Sequence, residues 1–269
     1  MKKNKERILT GSLSDLVAKF SQQNIIAEIE KRYQSAPARL IPISMIDDCA
    51  YISKVKIPDE TLEYFASRLK EKGFYNPLVV RTKEDGHYEV ILGRKRFYGA
   101  AKAGMLSLPC AFAEVEDEEM LLMLLADTRD QREANVVEMA LVCRALQEDF
   151  GYTQNTLAAL SHQSRCQITN ILRILKLPED VVEAVCLGKM SYGQARALSS
   201  LNEEDARRLF NRIIDEGLSV RQVEALAKSL RSPAKGKEKE YSVIVEGKQL
   251  RIEFVSEGDL IRFLKAKHI

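Results

Sequence analysis

With 269 residues, 45% of them hydrophobic and 30% charged, the chain has a globular composition and room for about two domains, each with its own core. Its 41 basic and 39 acidic residues leave a net charge of +2, which excludes a surface coated in non-specific nucleic-acid affinity but not a basic patch on one face. No apolar run is long enough to span a membrane, no signal-peptide core is visible, and five scattered cysteines and three isolated histidines lack metal or disulfide spacing, so a reduced cytoplasmic protein is expected.

Residues 1–40 open on Lys2, Lys3, Lys5 and Arg7 and continue into a short amphipathic helix. Its apolar stripe is Leu13, Leu16, Val17 and Phe20, with Ser12 and Asp15 as a capping box. The polar face (Ser14, Asp15, Ser21, Gln22) is hardly basic, so docking on a partner or on the protein's own core is expected rather than membrane attachment. Residues 41–116 read as mixed α/β. A helix over Pro58–Lys72 shows Leu62, Phe65, Ala66 and Leu69 on one face and ends at Gly73. Pro77–Arg81 and Tyr88–Leu92 form a hairpin around the Glu84-Asp85-Gly86 turn. Gly93 then leads into a helix over Arg94–Ala103 stopped by Gly104, and Leu108–Phe112 is a third strand.

Residues 117–230 read as wholly helical. Within them Thr153–Leu175 has the pattern of a helix-turn-helix. Thr153 caps a first helix whose inner face is Leu157, Ala158 and Leu160, and Ser161, His162 and Gln163 make the turn. Ser164 caps a second helix with Ile168, Ile171, Leu172 and Leu175 as its buried stripe. At about 100° per residue, the opposite face carries Cys166, Thr169, Asn170 and Arg173, flanked by Arg165 and Gln167. Short hydrogen-bonding side chains in that density suit base edges and phosphates. Four further helices follow, beginning near Pro178, Ser191, Glu203 and Ser219. Residues 231–240 are a charged linker. In residues 241–269 a strand over Tyr241–Val245, a turn at Glu246-Gly247-Lys248 and a second strand with Leu250, Ile252 and Phe254 inward precede a final helix capped by Ser256 and Asp259. A ββα unit of about thirty residues cannot bury enough surface alone, so it is expected to self-associate.

Two stretches carry possible ligand chemistry. Gly93 lets a ligand approach the backbone at a helix N-terminus, and Arg94, Lys95 and Arg96 put three cations at the end where the helix dipole disfavours them without an anion. A bound polyphosphate explains that triplet, and so does contact with DNA phosphate. Asp127-Thr128-Arg129-Asp130-Gln131-Arg132 could hold a hard cation and a phosphate, or be a charged helix face.

Four stretches together resemble the ParB/Spo0J/Noc family of partition proteins: GFYNPLVVR (Gly73–Arg81), LGRKRFYGAAKAG (Leu92–Gly104), the helix-turn-helix with GKMSYGQARAL after it, and LRIEFVSEGDLIRFL near the C-terminus. The resemblance covers about Ile41 to the end. It implies an α+β architecture: a small mixed α/β N-terminal ParB-type nucleotide-binding domain, an all-α helix-turn-helix domain and a short ββα dimerisation unit. It further implies a cytoplasmic, nucleoid-associated homodimer that binds a parS-like palindrome in double-stranded DNA and forms a CTP-controlled sliding clamp for chromosome or plasmid segregation. A ParA-type ATPase would be its partner through the basic tail, and the cofactors would be CTP and Mg2+.

The DNA-contacting residues implied are Thr153, Gln154, Gln163, Ser164, Arg165, Gln167, Thr169, Asn170 and Arg173, with Ser191, Gln194 and Arg196 on the next helical unit. The nucleotide pocket would comprise Arg81, Gly93, Arg94, Lys95, Arg96, Thr128, Arg129 and Arg132, with Asp127 as metal ligand; no catalytic residue is assigned. The chain departs from the family at Arg94, where the family box G-E-R-R has glutamate, and at Tyr98, which stands at a later arginine. The third nucleotide motif has two registers. The gapless one puts Asp127-Thr128 on the family's Glu-Asn and keeps a carboxylate; a one-residue gap puts Thr128-Arg129 there instead. Phosphate binding is expected to persist, whereas CTP hydrolysis is weakened. The alternative is a non-enzymatic ParB-like transcription regulator or nucleoid-occlusion protein. A kinase-like or sulfiredoxin-like reading needs an acid or cysteine at the Gly93 turn, where neither Cys49 nor Cys110 sits.

Overall fold

The computed structural model describes residues 13–22, 25–34, 37–130, 135–230, 241–246 and 249–254. Helices α1 (Leu13–Phe20) and α2 (Ile25–Gln34) lead into β1 (Arg39–Pro42), a 3-10 turn (Ile43–Met45) and β2 (Ile46–Asp47). There follow α3 (Asp59–Lys72), β3 (Leu78–Thr82), β4 (Tyr88–Leu92), α4 (Arg94–Lys102) and β5 (Ser107–Phe112). The five strands form one mixed sheet in the order β1-β5-β3-β4-β2. The β3–β4 hairpin is antiparallel, with the turn closed by Lys83 N donating to His87 O at 2.8 Å. β3 runs parallel to β5, and the edge strand β1 pairs antiparallel to it.

Both faces of the central strands are covered, which is why they read as near-continuous apolar runs. On one face Leu78, Val80, Val90 and Cys110 pack with Leu69 of α3 and Phe97 and Ala100 of α4. The two helices touch at Gly99, where a Cβ would lie 2.5 Å from Phe65 Cβ; only glycine allows that approach. On the other face Val79, Ile91 and Leu92 meet α5 (Asp117–Asp130). Every side chain of α5 from Met120 to Ala126 is at most 4% exposed. A helix apolar all round has no solvent face to offer, and α5 accordingly lies between the sheet and the helices that follow.

Those helices are α6 (Val136–Phe150), α7 (Gln154–Leu160), α8 (Arg165–Ile174), α9 (Glu179–Cys186), α10 (Tyr192–Leu198), α11 (Glu203–Glu216) and α12 (Val220–Leu230). They build two cores. Met139, Leu146, Leu157, Leu160, Ile168 and Ile171 join the core around α5, while Ile174, Val181, Leu198, Leu209, Ile213 and Val223 form a second. The expected α8 stripe is corrected here. Ile174 is fully buried in the second core, and Leu172 and Leu175 are only partly buried, because α8 is covered from two sides rather than one.

β6 (Tyr241–Glu246) and β7 (Gln249–Phe254) form an antiparallel hairpin with Tyr241 opposite Phe254 and Glu246 opposite Gln249. The expected final helix lies outside the described residues, as do Ser12 and the basic residues before it. The expected N-terminal helix is α1, and it docks on the protein's own core: Phe20 is 1% exposed and Leu16 and Val17 pack beside it. Helix α2, β1 and β2 were not expected from the sequence. No helix among the described residues is long and apolar enough to cross a membrane.

Candidate nucleic-acid interface and anion site

The helix-turn-helix is built from local caps. Thr153 Oγ1 accepts from Thr156 N at 3.1 Å to start α7. Ser164 and Gln167 form a reciprocal capping box at α8: Gln167 N donates to Ser164 Oγ at 3.2 Å, and Ser164 N donates to Gln167 Oε1 at 2.7 Å. Ser191 and Gln194 repeat that box at α10, and Gln194 Nε2 also reaches Leu218 O at 2.7 Å. Capping satisfies orphan amides at each helix start, so these side chains are spoken for locally before any ligand arrives.

The turn between α7 and α8 places His162 at φ 53°, the only described non-glycine residue with positive φ. Its Nε2 lies 2.8 Å from Ser21 O, just past the end of α1. Arg129, on α5, donates from Nη1 to Phe20 O at 2.9 Å and Leu160 O at 3.0 Å, and from Nη2 to Gln22 O at 3.1 Å. One guanidinium thus caps the C-terminal ends of both α1 and α7, where carbonyls lack helical partners.

On the outer face of α8, Arg165, Cys166 and Gln167 are exposed and Thr169, Asn170 and Arg173 are half-buried. Thr169 Oγ1 donates to Gln154 Oε1 at 2.9 Å, joining the two helices of the motif. Arg173 Nη2 donates to Ser199 O at 2.8 Å and so tethers α8 to the end of α10. Arg196 pairs with Glu224 at the surface, and Gln163 is half-buried in the turn. The structure therefore brings Thr153, Gln154, Gln163, Ser164, Arg165, Gln167, Thr169, Asn170 and Arg173 onto one compact unit, with Ser191, Gln194 and Arg196 on the adjoining helix.

The second locus is the start of α4. Gly93 is left-handed at φ 98°, and a Cβ there would stand 2.8 Å from Leu78 Cδ2 and 2.9 Å from Arg96 Nη2. Arg96 Nη1 bonds Asn76 O at 2.6 Å and Pro77 O at 3.2 Å, closing the loop before β3 over the helix start. Lys95 is half-buried beside it. Arg94 turns inward. Its Nε lies 2.8 and 2.9 Å from the two Asp48 carboxylate oxygens, Nη1 is 2.7 Å from Glu138 Oε1, and Nη2 is 2.7 Å from Val55 O. Tyr98 completes the cluster, its hydroxyl donating to Asp48 Oδ2 at 2.8 Å and its ring 5.3 Å from the guanidinium. Burial works to lower the Arg94 pKa, but the Asp48 bond and the charges of Asp48 and Glu138 hold it above its ordinary value. Burial likewise raises Glu138, against the opposing pull of Arg94.

Arg81 is also paired, with Glu89 Oε2 at 2.6 Å and Asp117 Oδ1 at 2.7 Å. A cleft of about 420 Å3 opens beside it, but Glu114, Glu116 and Glu119 in its lining repel a polyphosphate, and the α4 N-terminus is the better anion site. Thr128 is buried and its hydroxyl bonds Leu125 O at 2.8 Å, within its own helix; Asp127 is half-buried. Arg132 lies outside the described residues. The sequence reading missed Asp48, Glu138 and the role of His162. Arg94 in place of the family glutamate and Tyr98 in place of a family arginine were the visible hints that the α4 cluster is rebuilt. Burial pushes the Cys49 and Cys110 thiols up to about 12, so neither offers a thiolate nucleophile.

Residues 27–128 match the ParB N-terminal domain family, and residues 132–232 match the ParB HTH domain family. The chromosome-partitioning protein Spo0J of Thermus thermophilus is 34% identical over 71% of this chain and 70% of its own length. A probable chromosome-partitioning protein ParB of Pseudomonas putida is 31% identical over 70% of this chain, which spans just under two thirds (65%) of that relative's length. Crystal structures of the C-terminally truncated ParB of Caulobacter crescentus complexed to the centromeric parS site and with CTP-gamma-S are 30% and 26% identical. They cover 71% and 73% of this chain and 99% and 100% of theirs, with TM-scores of 0.42 and 0.34.

Proposed function

The chain belongs to the ParB family, and from that premise we propose that it is a dimeric, sequence-specific DNA-binding partition protein whose hold on a parS-like palindrome is controlled by CTP. The observation that carries this reading is the helix-turn-helix itself. α8 is capped at Ser164, packed from two sides through Ile168, Ile171 and Ile174, and presents Arg165, Cys166, Gln167, Thr169, Asn170 and Arg173 outward. That is the requirement for a helix lying in the major groove with its N-terminal residues at base edges.

CTP belongs at the start of α4, with Gly93, Lys95 and Arg96 nearest the phosphates. Magnesium would arrive with the triphosphate, because Mg2+ takes one or two carboxylates plus phosphate oxygens and water rather than an all-protein cage. Asp127, a half-buried carboxylate on α5, is the residue proposed for that single-carboxylate role; among the described residues no group of three or more His, Cys, Asp or Glu side chains could hold a resident ion. Partnership with a ParA-type ATPase through Lys2, Lys3, Lys5 and Arg7, and dimerisation through residues 241–269, complete the reading.

The pairing of Arg81 and Arg94 with carboxylates favours a second reading, a ParB-like DNA-binding regulator that takes no nucleotide. Fluorescence anisotropy with a labelled parS-type duplex and a scrambled control tests the DNA reading: the cognate duplex should bind at least about 1,000-fold tighter. Equal affinity for both duplexes overturns it. Equilibrium binding of labelled CTP, with and without the cognate duplex, separates the two readings. No saturable binding in either condition leaves the regulator.

A further inference from the structure

The Arg94 cluster adds a polar tie between two units that also share the core around α5. Arg94, Asp48, Tyr98 and Val55 belong to the sheet unit, within residues matching the ParB N-terminal domain, whereas Glu138 is on α6, within residues matching the HTH domain. The side chains of Arg94, Asp48 and Glu138 are 9%, 9% and 16% exposed, so the contact is out of water, where removing one partner of a charge pair is felt strongly. Val55, whose carbonyl accepts from Arg94, inserts its side chain into the second helical core. Arg94 therefore holds the helical unit at two places, the first turn of α6 and the 48–58 segment lying against α9. Among the described residues a further ion pair between these segments, Lys56–Glu183, has side chains 62% and 41% exposed and contributes little.

Arg94 is also the first residue of α4, next to Gly93, at the helix end that attracts anions. Within the cluster one guanidinium faces two carboxylates. An arriving triphosphate carries more charge than either carboxylate and competes for the same cation. We infer that Arg94, Asp48 and Glu138 form an interdomain latch, closed in the absence of ligand and opened when an anion at the α4 N-terminus draws Arg94 away from Glu138. The identity of that anion as the CTP triphosphate rests on the function proposed above; the latch itself does not. Arg94 acts here as a positioning residue, and its exchange for the family's glutamate becomes a change in how the helical unit is held.

Hydrogen exchange on the full-length chain tests this, with amides of residues 136–140 and 49–55 as reporters and amides of α11 as a control for folding. Bound CTP is measured by equilibrium dialysis on the same samples. In the wild type, CTP should raise exchange at both reporters by about fivefold or more, with α11 unchanged. Glu138→Gln should show the raised rates without CTP and no further rise with it, although CTP still binds; a merely structural residue would not abolish the CTP response. Arg94→Gln should show the same raised rates without CTP, which guards against one variant failing to fold; its response to CTP is not used, because Arg94 is the cation that the triphosphate draws. Wild-type protein that holds CTP without a change at either reporter overturns the inference. So does Glu138→Gln with wild-type protection in the absence of CTP. If dialysis finds no bound CTP, the nucleotide reading has failed, and the ligand-free comparison of Glu138→Gln with wild type still decides the latch.

Discussion

At the scale of single residues, the cations of the candidate sites divide by what they already hold. Arg165 is exposed at the start of α8, while Arg173 spends a hydrogen bond on Ser199 O. Arg165→Ala should therefore weaken specific DNA binding by about 1–3 kcal/mol and leave the thermal midpoint unmoved. Arg173→Ala should weaken binding and also cost about 1 kcal/mol of stability, because a carbonyl loses its donor. Anisotropy and a melting curve on both variants check the contrast; equal midpoints would show that the tether to α10 is idle. The cysteines divide in the same way. Cys49, Cys110 and Cys143 are buried with thiols pushed up to about 12, and Cys186 to about 11, whereas Cys166 is exposed on α8. A native thiol titration at pH 8 should find one fast-reacting group, Cys166, and bound cognate DNA should protect it.

At the scale of elements, legibility followed locality. Caps at Thr153 and Ser164, the Gly93 turn and the β3–β4 hairpin are decided by neighbours in sequence, and the structure has them where the residue pattern puts them. What the sequence hid was decided by distant neighbours. β1 contains a proline and is an edge strand, and β2 is two residues long, so neither carries an alternation to detect. Ile174 looked off the stripe because its partners belong to a second core, which gathers Leu177 and Val181 just after it with Leu198, Leu209 and Val223 farther along the chain. Asp48 and Glu138 looked like ordinary surface acids until the fold set them around Arg94. Gly99 shows the same dependence in a testable form. Gly99→Ala puts a Cβ against the Phe65 Cβ and the backbone of α3, which cannot swing aside, so the variant should lose about 1–3 kcal/mol despite alanine's better helix propensity. A chemical-denaturation midpoint at or above wild type would mean that α3 and α4 part without cost.

At the scale of the molecule, two devices set how the helix-turn-helix unit is carried. The first is internal. Arg129 gathers Phe20 O, Gln22 O and Leu160 O, and His162 meets Ser21 O, so the segment leading from the basic N-terminal tail ends on the helix-turn-helix. Arg129→Ala should cost about 1–3 kcal/mol through orphaned carbonyls and weaken DNA binding without any lost DNA contact; unchanged affinity in anisotropy would uncouple the two. The second is external. A two-stranded hairpin is marginal in isolation, and β6–β7 pairs apolar positions such as Val243 with Ile252 and Val245 with Leu250. A second copy of the chain is the economical cover for such a hairpin. Dimerisation converts binding of the second half of a palindrome into an intramolecular event, with an effective concentration in the millimolar range for short linkers. A chain ending at Leu230 should therefore sediment as a monomer, keep its affinity for a single half-site and lose about 100-fold or more on the full palindrome. Half-site affinity is the internal control, since the residues assigned to it on α7, α8 and α10 all lie within the shortened chain. If the shortened chain still sediments as a dimer and binds the palindrome as tightly as the full chain, the dimer interface lies within residues 1–230 and the hairpin needs another explanation.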